Sequence, residues 1–249
     1  MRLCMFHPLE HPMERGWVGR VEGEHVVHLA AQTLQTFFSG GGSAREHAVY
    51  PLDGVRLLAP VLHPPAVRVF DSQTSFEFAN PAAILGPEAE IVRHWSASND
   101  QLQSLTLLAR LAAVIGAEGA LAGFTLCADW RAPGATPPKD RDFALGLGPV
   151  VVTLDELDLR PAEASVRVDG AERLAGHFPD FDWDAARNLA AAGTALFPGD
   201  VVVGPSAGSV DGLERGAAVE LEVGEIGVLA GRIKPADMTS DQVPQASDR

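Results

Sequence analysis

Leu102-Gln-Ser-Leu-Thr-Leu-Leu-Ala-Arg-Leu-Ala-Ala-Val-Ile115 is the stretch on which the fold turns. Read alone, its Leu and Ala content and its length favour a helix. Its surroundings point the other way. Short Val-rich runs are punctuated along the chain by 25 glycines and 18 prolines, while long amphipathic stretches are few. That is the pattern of a strand-dominated protein.

Working outward, Gly16–Arg20 and His25–Leu29 read as strands around a hairpin turn at Glu22-Gly23-Glu24. Leu29 to Phe38 reads as a helix stopped by Gly40-Gly41-Gly42. Pro60 to Pro65 is stiff and marks a boundary, which divides the chain into a small β-rich unit, 1–60, a larger unit, 61–235, and a polar flexible tail, 236–249. In the larger unit, Phe143 to Val152 reads as a strand with a turn at Gly148-Pro149, and Thr153-Leu-Asp-Glu156 matches a capping box at a helix start. Ser165–Arg167 enters a hairpin turn at Val168-Asp169-Gly170. Asp182 to Ala192 is the clearest helix, with Asp180 or Asp182 to cap it and Gly193 to end it. Val201–Val203, Ala218–Val223 and Gly227–Ile233 are further strands.

With 19 Lys and Arg against 33 Asp and Glu, the net charge of −14 argues against a partner held through phosphates, so no nucleic acid is expected. No apolar run reaches the roughly 18 residues of a membrane helix, and MRLCMFHPLEH lacks a signal-peptide core. Cys4 and Cys127 are too few for a disulfide framework. A cytoplasmic protein without a membrane partner is the expectation.

Several stretches, in order, resemble the fumarylacetoacetate hydrolase family, in particular its bacterial branch acting on 2-oxo and enol acids. They are Phe76-Glu-Phe-Ala-Asn-Pro-Ala-Ala-Ile-Leu-Gly-Pro87, Leu111-Ala-Ala-Val-Ile-Gly116, Ala122-Gly-Phe-Thr-Leu-Cys-Ala-Asp-Trp130, Asp142-Phe-Ala-Leu-Gly-Leu-Gly-Pro149, Val168-Asp-Gly170 and Pro198-Gly-Asp-Val-Val202. The resemblance covers roughly 60–233. It implies a β-rich α+β architecture: mixed, rolled β-sheets of the family's C-terminal type, preceded by a small N-terminal β-rich domain, with a central cleft. In that context Thr106–Ile115 is expected as a strand. The resemblance also implies a homodimer and a small carboxylate ligand.

The family holds a divalent cation, usually magnesium, manganese or calcium, through a Glu-x-Glu pair on one strand and an Asp on another. A hard cation needs several oxygen ligands, and alternate residues of a strand share a face. Here the paired positions hold Leu108 and Arg110, and only Asp129 remains. No metal or other cofactor is therefore expected. The family's Lys aligns with Arg141, which cannot act as a base. The closing Gly-Thr region aligns with Pro205-Ser206-Ala207-Gly208. The family's lid would follow Arg68-Val69-Phe70, yet Asp71 leads to Phe76 within five residues, as if the lid were deleted.

Carried over in this way, the candidate catalytic groups are Asp129, Arg110, Arg141 and His177, and the candidate substrate contacts are Arg141, Ser206 and Gly208. Each has a plainer reading. Asp129 fits a loop carboxylate, Arg110 a solvent-facing residue of an edge strand, Arg141 an exposed member of the run Lys139–Asp142, and His177 a structural histidine. If Arg110 is buried, it should pair with Asp129, its guanidinium filling the cation's place. Cys127 reads as a small core residue. His7 and His11 are spaced as helical zinc ligands, but Pro8 and Pro12 forbid that helix. Ser206 lacks the strand-to-helix setting of a nucleophile elbow. Two functions follow: an enzyme that stabilises an enolate with arginines, or a catalytically silent paralogue that binds a metabolite or assembles with a partner.

Overall fold

Glycine and proline cut this chain into strands too short to bury an apolar face alone, so the strands pair into large sheets. The computed structural model describes residues 1–92, 104–157 and 163–235. In order these form β1 (Arg2–Pro8), β2 (Trp17–Glu22), β3 (His25–Leu29), α1 (Leu34–Ser39), β4 (Glu46–Pro51) and β5 (Val55–Leu58). Then come β6 (Val67–Ser72), β7 (Ser75–Ala79), β8 (Ile84–Leu85), β9 (Ala89–Ile91), β10 (Leu105–Ile115), β11 (Leu121–Arg131) and β12 (Leu145–Thr153). The chain continues through β13 (Glu163–Val168), β14 (Ala171–His177), α2 (Trp183–Ala191), β15 (Val201–Leu213), β16 (Ala218–Val223) and β17 (Gly227–Ile233). The tail expected over 236–249 lies outside the described residues.

Two mixed sheets result, the β-rich architecture expected. The larger runs β4-β3-β2-β1-β12-β11-β10-β15-β6-β7, with β5 on β1 and β8 on β12; the smaller runs β14-β13-β16-β17-β9. Most pairings are antiparallel, while β6 with β15, β8 with β12 and β9 with β17 are parallel. The N-terminal strands join the large sheet through Arg2↔Val152 and Leu3↔Val151.

The ambiguous stretch is the central strand β10. It pairs with β11 on one edge and β15 on the other. Nearly every side chain is buried, which is why it reads as a continuous apolar run and mimics a buried helix. Alternation divides its residues between two faces. Leu107, Ala109, Leu111 and Ala113 join a core with Val166, Val219, Leu221 and Leu229 of the small sheet. Ala112 faces the other way, into a cluster with Val67, Val69, Cys127, Leu145, Leu147, Val201 and Val203. Leu108 and Arg110 share that second face.

Three local expectations fail. The helix read over Leu29–Phe38 is only Leu34–Ser39, because β3 claims Leu29 and Thr33 caps the start: its Oγ1 accepts from Thr36 N at 3.1 Å and its N–H donates to Thr36 Oγ1 at 3.0 Å. Gly148-Pro149 is not a turn. β12 runs straight through it, with a cis Gly148–Pro149 peptide opposite a register shift in β11. Thr153–Glu156 opens no helix: Thr153 ends β12, its Oγ1 accepts from the chain's amino terminus, and the segment is a turn closed by Glu156 N–H to Thr153 O at 3.0 Å. Two other expectations hold. Gly23, at φ +57, turns β2 into β3, and Asp182 caps α2 by accepting from Ala185 N at 2.9 Å.

Candidate functional site

Register places the site. Leu108 lies opposite Asp129, and Arg110 opposite Cys127, across β10 and β11; across β10 and β15, Arg110 lies opposite Ser206. Opposite residues of an antiparallel pair share a face, so Arg110, Asp129 and, two residues further on, Arg131 project together. The β10–β15 register shifts on both sides of Arg110. Such bulges re-aim side chains next to functional sites.

Arg110 is 1% exposed and is no edge residue. Its Nε lies 3.0 Å from Asp129 Oδ2, an ion-pair contact without hydrogen-bond alignment. Its Nη1 donates to the carbonyls of Phe70 at 3.2 Å and Gly204 at 3.0 Å, and its Nη2 to Asp71 Oδ1 at 2.6 Å. Asp129, equally buried, accepts both prongs of a second guanidinium: Arg131 Nε to Oδ1 at 3.0 Å and Nη2 to Oδ2 at 2.9 Å. Arg131 Nη1 reaches Asp140 at 3.5 Å.

Arg141 is also buried, so it is not the exposed member of a surface run. Its Nη1 donates to Glu77 Oε2. Its Nε and Nη2 are buried with no partner. These two atoms form the same side-on fork with which Arg131 grips Asp129. An Asn80 Nδ2 bond of 2.9 Å to Asp142 O ties the end of β7 to this segment.

Asp71 sits where three positive fields overlap. Burial raises its carboxyl, but the Arg110 hydrogen bond and the charges of Arg110, Arg131 and Arg141 outweigh that and hold it below the usual carboxylate range. The Cys127 thiol is pushed far up, first by burial and then by Asp129, against opposing pull from the same three arginines. Cys127 is an inert core residue.

Among the remaining candidates, Ser206 is half-buried opposite Arg110. Gly208 pairs with Ala109, and an added Cβ would meet Leu174 of β14 at 2.8 Å. His177 is exposed at the end of β14, paired with Glu163, and among the described residues no hydrogen bond or ion pair links it to the arginines. The structure gathers Arg110, Asp129 and Arg141 and leaves His177 outside. Three members of the cluster escaped sequence reasoning. Arg131 carried a signal, since it stands two residues from Asp129 on one strand. Asp71 and Glu77 come from a hairpin, β6–β7, which closes tightly between Ser72 and Ser75 where the resemblance expects a lid.

The donor set does not suit a hard divalent cation. Both oxygens of Asp129 are taken by guanidinium groups, and Asp71, the next carboxylate, is held by Arg110. Among the described residues no three His, Cys, Asp or Glu side chains converge on one point. No helix among the described residues is long and apolar enough to cross a membrane.

The central strand β10 thus gives one face to the second sheet and the other to a buried charged cluster. Residues 62–234 match the family model "Fumarylacetoacetate (FAA) hydrolase C-terminal", and the chain belongs to the fumarylacetoacetate hydrolase family. No curated protein matches the sequence. Solved structures do. Maleylpyruvate hydrolase from Sphingobium sp. SYK-6 superposes with TM-score 0.76 at 19% identity, over 94% of this chain and 100% of that one; the same enzyme is also known in complex with manganese(II) and pyruvate, at TM-score 0.75 and 19% identity, over 95% and 100%. The fumarylacetoacetate hydrolase of Exiguobacterium antarcticum matches with TM-score 0.76 at 22% identity, over 94% and 99%. A 5-carboxymethyl-2-hydroxymuconate delta-isomerase from Mycobacterium smegmatis matches with TM-score 0.72 at 22%, over 94% and 100%. At these identities the likeness establishes the fold.

Proposed function

We propose that this chain binds a small oxo- or enol-carboxylic acid through Arg141, with the fixed charge of Arg110 standing where the family resemblance places a cation. The observation that carries the reading is the empty fork of Arg141, Nε and Nη2, buried without an acceptor. A buried donor left unmade costs about 1–3 kcal/mol. A carboxylate meets both donors at once, as Asp129 does for Arg131. Fixed guanidinium groups can also stabilise a developing enolate. The manganese and pyruvate bound by the Sphingobium relative support an oxo acid as the ligand class.

A second reading, a catalytically silent member of the family, draws on the saturation of Asp129. A carboxylate whose two oxygens both accept from Arg131 is poorly placed to move a proton. In this reading the chain carries a metabolite, or assembles with itself as the homodimer implied by the resemblance.

Calorimetric titration of the chelator-treated protein with pyruvate tests the common part. Wild type should bind and Arg141→Gln should not; equal binding by both would overturn the seat. A hydrolysis and decarboxylation screen on acylpyruvates and oxaloacetate then separates the readings, turnover favouring arginine chemistry and its absence favouring silence.

A further inference from the structure

The β6–β7 hairpin brings two carboxylates to the cluster. Val69 pairs with Glu77, and Asp71 stands at the register shift between Phe70 and Ser72 where the hairpin closes. Each holds one arginine, Asp71 through Arg110 Nη2 and Glu77 through Arg141 Nη1. The arginine side chains are 1% and 6% exposed, whereas the carboxylates are 67% and 73% exposed. The buried cations therefore face outward through a rim of negative charge.

The balance of charge is equally definite. The ion pairs join three guanidiniums, Arg110, Arg131 and Arg141, to four carboxylates, Asp71, Glu77, Asp129 and Asp140, a net charge of −1. The neighbouring Lys139–Asp142 pair is neutral. A carboxylate brought against the Arg141 fork would complete its two unmade bonds. The other unmade donor of the cluster, Arg110 Nε, already faces Asp129 at 3.0 Å, so a second carboxylate is left to meet Asp71 and Glu77 at the rim.

We propose that Asp71 and Glu77 make the site charge-selective, so that it accepts a 2-oxo acid with one carboxylate and rejects a 2-oxo acid with two. The inference rests on the carboxylate seat proposed for Arg141 and names the class of acid it takes. Like charges brought together at a binding site discriminate strongly against the wrong partner. Because the two acids are exposed, the discrimination weakens as salt screens them.

The test compares 2-oxopentanoate with 2-oxoglutarate, equal in chain length and differing in the second carboxylate, by calorimetry at low ionic strength. Wild type should bind the monocarboxylate about tenfold more tightly, a ratio typical of one unfavourable charge contact. Asp71→Asn and Glu77→Gln keep an acceptor oxygen for their arginines and remove the charge. In the double variant the ratio should fall to about twofold or less, chiefly through tighter binding of 2-oxoglutarate. Equal affinities in wild type, or a ratio unchanged in the double variant, overturn the charge filter while leaving the Arg141 seat in place. Failure of both acids to bind wild type and variant alike overturns the seat and the filter together.

Discussion

Arg110 and Asp129 meet as a buried ion pair, Nε to Oδ2 at 3.0 Å, between side chains only 1% and 2% exposed. The two residues stand on neighbouring strands, and their register, with Leu108 opposite Asp129 and Arg110 two residues on, turns both toward one face. The pairing that the sequence implied is present, and Arg131 shares it from the far side of Asp129.

That sharing predicts unequal losses. Asp129→Ala takes the shared carboxylate from two arginines at once, leaving Arg110 with Asp71 and two carbonyls and Arg131 with Asp140, and should cost about 3 kcal/mol, the low end for a broken buried pair. Arg110→Ala leaves Asp129 with both prongs of Arg131 and should cost less. Denaturant unfolding of the two variants checks the order; an Arg110→Ala loss equal to or larger than that of Asp129→Ala contradicts it.

The depressed Asp71 carboxyl predicts a pH dependence with a definite sign. A group whose folded pKa lies below its unfolded value, about 3.9 for Asp, adds stability that is fully present above the unfolded value and lost as pH falls through the folded one. Wild type should therefore exceed Asp71→Asn in stability at pH 6, and the gap should close below about pH 4. Thermal unfolding across that range measures it, and a gap that widens on acidification would contradict the assignment.

How much of this was legible depended on the range of the contacts involved. The Arg110–Asp129 meeting could be anticipated, because strand parity and the alignment of two motifs suffice. Arg131 was equally accessible from its spacing to Asp129. Glu77 was not: its bond to Arg141 spans 64 residues and depends on where the β6–β7 hairpin lands against the loop before β12. The motif series points to the fold where propensity points away from it. Leu and Ala in β10 favour helix, and pairing on both edges overrides them. Gly148-Pro149 and Thr153–Glu156 carry the right local signals for a turn and a helix start, but a long strand and the amino terminus use those residues instead.

Restoring carboxylates should restore metal affinity in steps. Leu108→Glu with Arg110→Glu places two acids on the face of Asp129, yet Arg131 still occupies both of its oxygens. Adding Arg131→Ala frees them. The triple variant should bind manganese(II) more tightly than the double, by calorimetry; equal affinity would mean that Arg131 does not compete for Asp129.

The cysteines should be silent until the chain unfolds. Burial raises the Cys4 thiol to about 12, against a lowering hydrogen bond from the Gly19 backbone, and raises Cys127 further still. The thiolate is the reactive form. A thiol reagent at pH 8 should label neither residue in the native protein and both in denaturant; rapid native labelling of Cys127 would contradict its placement beneath the arginines.

In the proposed reading, guanidinium charge does a cation's work in holding an oxo acid. Titration of pyruvate into chelator-stripped protein, repeated with saturating manganese(II), tests it most directly. One dissociation constant should describe both titrations, unmoved by the metal. Binding that appears only when manganese is present would contradict it.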